Sequence, residues 1–110
     1  KTLAGVGTTA ENLTAAVGGE TFEVEEMYPA YISVAELQGE KTALIYLRAA
    51  MAAERVHTTI YKKAVEAMDK GGDLEAKPIH VCSVCGFTME GHAPENCPVC
   101  GAPKSKFVMF

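Results

Sequence analysis

The sequence has no tryptophan, and its first 72 residues hold no cysteine. No window approaches the roughly 18 consecutive apolar residues of a membrane-crossing helix, which excludes a span of that kind. Basic residues are the minority: 10 Lys and Arg stand against 14 Asp and Glu, for a net charge of −4. Phosphate backbones are bound by a cationic surplus, so this balance argues against a nucleic-acid partner. No N-terminal succession of charged, apolar and small residues marks a secretory signal, and a reducing, cytoplasmic compartment is the expectation. The chain also opens at Lys1 without a Met, and is read as a fragment or a processed product. Repeats and low-complexity tracts are absent too. Intrinsic disorder does not suit 48% hydrophobic and 22% charged residues.

What is present is distributed unevenly. All 4 cysteines and four of the 5 prolines lie in the last third, whereas Ala, Glu, Met and Leu dominate before it. Between the two parts, Gly71-Gly72-Asp73-Leu74-Glu75-Ala76-Lys77-Pro78 reads as a helix stop and a linker. The expected organisation is a helical part over residues 1–72, a linker over 73–79 and a cysteine-bearing part over 80–110. Thr8-Thr9-Ala10-Glu11 is a capping-box sequence that opens a helix. Leu13, Ala16, Val17, Val24, Met27, Tyr31, Val34 and Ala35 follow helical spacing to about Gln38, with Pro29 expected to bend the helix. A second helix over about 40–70 carries the stripe Ala43, Leu47, Ala50, Met51, Thr58, Tyr61, Val65 and Met68. So short a connection at Gly39 makes the pair an antiparallel hairpin. Charge agrees: residues 1–40 hold seven Glu and one Lys, residues 41–70 six Lys or Arg and three acids.

Several side chains sit on the wrong face. At 100° per residue Glu20 falls among Val17, Val24 and Met27, and Glu23 at the stripe's edge. Glu54 interrupts the second stripe, with His57 one turn later on the same face. Ionisable groups on a core line must be paired or bind metal. Glu-x-x-His is common by chance, and a misjudged rotation would leave Glu20 and Glu23 in water. The conjunction of an inward Glu pair with an inward Glu-x-x-His is the stronger signal, and carboxylates with imidazole suit iron or manganese. A di-iron carboxylate site takes one Glu from each of two helices and Glu-x-x-His from each of two others, so this chain supplies half a set.

The cysteines form two Cys-x-x-Cys-Gly knuckles, Cys82/Cys85 and Cys97/Cys100. Two such knuckles make a tetrahedral four-sulfur site that suits zinc or a single iron. A tail with so few apolar residues needs that metal to fold. His80 and His92 lie near the knuckles and are read as surface residues, since four thiolates already fill the site.

Taken in order, Glu11-Asn12-Leu13, Gly19-Glu20, Met27-Tyr28-Pro29, Glu54-x-x-His57, the Cys82/Cys85 knuckle and Cys97-Pro98-Val99-Cys100-Gly101-Ala102-Pro103-Lys104 resemble the C-terminal part of a rubrerythrin. The resemblance implies a mainly α chain: a ferritin-like helical hairpin, half of a four-helix bundle, followed by a small rubredoxin-like metal-binding β domain. It implies Glu20, Glu23, Glu54 and His57 as ligands of a non-haem di-iron centre of the Fe–O–Fe type. Tyr28 matches a tyrosine that hydrogen-bonds near that centre, and Cys82, Cys85, Cys97 and Cys100 become the ligands of one iron in an Fe(Cys)4 site. The activity implied is reduction of hydrogen peroxide to water in oxidative-stress defence. Electrons would come through the Fe(Cys)4 iron from a rubredoxin or an NAD(P)H-linked reductase. Rubrerythrins carry two further helices upstream, and Lys1–Gly7 resembles the connection that follows them. The missing half is expected from an N-terminal helix pair of the same parent or from a second copy in a dimer, domain-swapped or symmetric. The alternative is a four-cysteine electron-transfer or interaction module, iron or zinc, without di-iron catalysis of its own.

Overall fold

The computed structural model describes residues 5–110; residues 1–4, part of the Lys1–Gly7 stretch, lie outside the described residues. Helix α1 spans Thr9–Phe22 and begins with a complete capping box. The Glu11 carboxylate accepts the Thr8 backbone N–H at 2.8 Å, while the Thr8 hydroxyl accepts the Glu11 N–H at 3.3 Å. Two otherwise orphaned donors are thereby satisfied. Thr8→Ala is expected to lower stability by about 1 kcal/mol, read as a shift of the urea midpoint at constant slope.

The chain then widens into one π turn over Glu23–Met27, in which the Tyr28 N–H reaches back to the Glu23 carbonyl. Helix α2 follows over Tyr28–Gln38, with Pro29 in its first turn. The single helix expected up to Gln38, bent at Pro29, is therefore interrupted one turn earlier. Proline has no N–H to offer and its ring crowds the carbonyl four residues back, so the wider turn just before it takes up the misfit. The extra residue in that turn rotates everything after it by about 100°. Of the stripe residues beyond it, Ala35 is buried, while Tyr31 and Val34 are 52% exposed each.

Gly39, at φ 71°, ends α2 in a left-handed cap, with Gly39 N–H donating to Glu36 and Glu40 N–H to Ala35. Helix α3, Lys41–Asp69, starts at once and ends the same way at Gly71, φ 75°. Glu20 faces His57, Tyr28 faces Glu54 and Glu36 faces Arg48, an antiparallel progression. Among the described residues the helices fully bury only Ala35 and Ala53, and Leu37 and Ile45 stay 88% and 68% exposed. A two-helix hairpin cannot cover both sides of its own apolar stripes.

The tail is a three-stranded antiparallel sheet of order β2-β1-β3, with β1 Ile79–Cys82, β2 Thr88–Glu90 and β3 Phe107–Met109. Val81 stands opposite Thr88 on one side and Val108 on the other. Phe87 and Phe107 meet edge to face with centroids 6.4 Å apart. Strand β2 lies against α3, where Lys63 pairs with Glu90 at 3.6 Å.

Candidate metal centres

The two knuckles are built alike. In the first, Cys82 N–H donates to the Phe87 carbonyl and Gly86 N–H to the Cys82 carbonyl. In the second, Cys97 N–H donates to Ala102 and Gly101 N–H to Cys97. Each turn closes at a glycine of positive φ, Gly86 at 79° and Gly101 at 75°, a conformation that side chains oppose. The sulfurs of Cys82 and Cys100 lie 3.7 Å apart and those of Cys85 and Cys97 3.6 Å. Metal–sulfur bonds of about 2.3 Å in a tetrahedron put sulfurs about 3.8 Å apart, against about 2.05 Å in a disulfide. The four sulfurs therefore fit a tetrahedral ion. Burial pushes the Cys82 thiol up, but the N–H groups of Val84 and Cys85 and the neighbouring thiols outweigh it and bring it to about 7. Burial pushes Cys85 and Cys100 up. Four thiolates at this spacing cannot all ionise without a cation among them.

The second cluster lies between α1 and α3. Glu20, Glu54 and His57 bring one ligand atom each within 4.8 Å of one another. His57 Nδ1 is 2.7 Å from Glu54 Oε2 and 3.8 Å from Glu20 Oε2. Glu20 Oε2 is buried and has no hydrogen-bond partner. Burial, followed by the facing Glu54 carboxyl, pushes Glu20 up to about 7. An orphaned buried carboxylate oxygen, a second carboxylate and an imidazole nitrogen turned to one point are a hard donor set suited to iron or manganese. Tyr28 donates to Glu54 Oε1 at 3.5 Å, and burial with the nearby carboxylates pushes its phenol up. Glu23 stands outside the ligand-atom cluster, at the start of the π turn, and reaches Glu20 only through its charge. Without metal, Glu20→Leu is expected to raise stability by the order of 1 kcal/mol, because an unpaired inward carboxylate gives way to an apolar side chain. Thermal denaturation after chelation reads this out.

Two residues that sequence reasoning passed over meet the far side of the imidazole. His57 Nε2 lies 3.1 Å from the Gly86 carbonyl and 2.9 Å from the Thr88 hydroxyl. The imidazole thus joins the carboxylate cluster to the residue that follows Cys85. No spacing in the sequence announces a contact across 29 residues. His80, read as a surface residue, is half-buried in β1, and its Nδ1 is buried without a partner.

A family model described as rubrerythrin matches residues 2–65, and one described as the rubrerythrin, rubredoxin-like domain matches residues 80–108. The chain belongs to the rubrerythrin family. Rubrerythrin-2 of Clostridium acetobutylicum is 36% identical over 100 residues, covering 91% of this chain and 54% of that protein. A putative rubrerythrin of Methanocaldococcus jannaschii is 41% identical over 105 residues, covering 93% and 52%. The solved structure of a mixed-valent state of nigerythrin superposes with a TM-score of 0.85 at 31% identity, over 100% of this chain and 54% of that one. The chain spans about half the length of the relatives it matches. The rubrerythrin fold expected above, a helical hairpin followed by a rubredoxin-like β domain, is the fold observed. The cofactors follow from family and donor set: one iron on four cysteines, and the di-iron centre that belongs to the rubrerythrin helical part. No helix among the described residues is long and apolar enough to cross a membrane.

Proposed function

We propose that this chain is the C-terminal half of a rubrerythrin-type peroxidase. Residues 1–72 form the di-iron helix pair, 73–79 a linker and 80–110 the electron-delivering Fe(Cys)4 domain. Glu20, Glu23, Glu54 and His57 would hold the iron, with Tyr28 hydrogen-bonded to Glu54. The observation that carries this reading is the double engagement of His57, with Nδ1 toward the carboxylates and Nε2 on the Gly86 carbonyl beside Cys85. When bound, the iron pair supplies the two electrons that, with two protons, reduce one hydrogen peroxide to two waters.

The chain's own groups prepare that chemistry. Glu20 and Glu54 neutralise the cations from a half-buried position, and Tyr28 holds its proton at hydrogen-bonding distance from Glu54. The knuckle N–H groups aimed at sulfur favour the thiolate form and set the potential of the cysteine-bound iron. Three carboxylates and one imidazole under-coordinate two irons, and the exposed apolar faces of α2 and α3 need cover. Both needs are met by a further helix pair carrying Glu and Glu-x-x-His, from the N-terminal part of the same parent or from a second copy. Electrons reach the cysteine site from a reductase or a rubredoxin, and the compartment is the cytoplasm.

The test uses anaerobically reduced protein. Adding one equivalent of peroxide should restore the visible bands of the ferric cysteine site within the mixing time. Preparations with iron on the cysteines alone should recover far more slowly. Equal rates would leave only an electron-transfer module.

A further inference from the structure

We infer that Thr88 is a positioning residue for the carboxylate–imidazole site: its hydroxyl, with the Gly86 carbonyl, holds His57 in the one tautomer that frees Nδ1 for metal. This rests on the reading that His57 is a ligand. Three distances carry it. Thr88 Oγ1 donates to the Gly86 carbonyl at 2.9 Å, and His57 Nε2 lies 2.9 Å from Thr88 Oγ1 and 3.1 Å from the Gly86 oxygen. The hydroxyl donates to the Gly86 carbonyl, which can only accept, and its proton is thereby committed there. Toward the imidazole the Thr88 oxygen can then only accept. Both neighbours of Nε2 are acceptors, and Nε2 must carry a proton. The other tautomer would set a nitrogen lone pair against two oxygens, whereas at Nδ1, 2.7 Å from Glu54 Oε2, a bound cation takes the place of a proton between nitrogen and carboxylate.

The hydroxyl also fixes the direction of the ring. Its strand is registered through Val81, next to Cys82, so the sheet that carries the first knuckle anchors it. A ligating histidine tied at its other nitrogen to a carbonyl and a hydroxyl loses rotational freedom before the metal arrives. A cleft of about 270 Å³, lined by His57, Ile60, Tyr61, Ile79 and Thr88, opens beside this contact. Alanine at position 88 would admit water there to replace the hydroxyl. Valine keeps the β-branched shape and fills that space with a methyl group, so it isolates the hydroxyl.

The experiment takes the assembly completed by a second helix pair, fills its cysteine sites with one equivalent of zinc per chain, then titrates a second zinc per chain against a chromophoric chelator. Thr88→Ser should bind the second zinc within about twofold of the parent. Thr88→Val should bind it about 10-fold more weakly, in the range lost with a ligand's hydrogen-bond partner. In the zinc-loaded parent and Thr88→Ser, the His57 Nε2 proton should give a slowly exchanging NMR resonance, which should exchange faster in Thr88→Val, where only the Gly86 carbonyl still accepts it. If Thr88→Val matches the parent in both readouts while His57→Ala loses the second zinc, the inference fails and the site stands. If Thr88→Ser is as weak as Thr88→Val, shape and not the hydroxyl is responsible, and the inference fails. If His57→Ala binds the second zinc unchanged, the reading of His57 as a ligand falls and the inference with it.

Discussion

Cys97→Ser is expected to lose the red absorption of the tail and, with it, the fold of residues 79–110. Among the described residues only Cys82 and Cys97 are buried in this part of the chain, at 1% and 3% exposure. The sheet has three short strands and one aromatic pair, far too little apolar burial to offset the entropy of ordering it. Metal binding therefore supplies the folding energy, which for structural four-ligand sites is about 10–16 kcal/mol. A serine hydroxyl is a hard, weakly acidic donor and substitutes poorly for a thiolate 3.6 Å from its neighbour. Amide hydrogen exchange should show strands β1–β3 unprotected, while α1 and α3 keep their helical circular dichroism. Unchanged iron affinity with protected strands would mean that the sheet stands on its own packing.

The second large effect belongs to the helices. His57→Ala and Glu54→Ala should each lower peroxide turnover of the completed, iron-loaded assembly by more than about 100-fold. That exceeds the 10–100-fold lost when only a ligand's hydrogen-bond partner is removed. The visible spectrum of the cysteine site should not change. Glu54 faces His57 Nδ1 at 2.7 Å and receives the Tyr28 hydroxyl at 3.5 Å, so its loss strips two neighbours of their partner. His57→Ala removes a nitrogen donor and also cuts the bridge to Gly86. It should therefore slow reoxidation of the cysteine iron by peroxide even where residual iron binds the carboxylates. Iron analysis beside stopped-flow absorbance separates the two losses. Full iron retention and full turnover in both variants would show that these side chains serve only packing.

What was legible in the sequence follows from how local each signal is. Cys-x-x-Cys-Gly is a self-contained turn, closed by one glycine of positive φ, so its thiols could be paired into a site without knowing the fold. Glu54 and His57 are three residues apart on one uninterrupted helix and share a face by geometry alone. Glu20 was recognisable because it breaks an apolar stripe before any irregularity in the helix. Beyond it the reading weakened. The π turn adds a residue just before Pro29, which a straight 3.6-residue count does not foresee. Glu23 sits at the start of that turn, and its carboxylate lies outside the cluster of Glu20, Glu54 and His57. The Gly86 and Thr88 contacts to His57 were invisible for another reason. They arise from packing a sheet on a helix, and neither residue type nor spacing encodes that.

Iron content measured together with assembly mass tests the central claim most directly. If Glu20, Glu54 and His57 are half of a di-iron site completed by another helix pair, isolated 11.7 kDa chains should hold one iron each, on the cysteines. Two further irons and peroxide reduction should appear only in assemblies whose mass includes a second helix pair. A monodisperse 11.7 kDa monomer holding three irons and reducing peroxide at full rate would contradict the account.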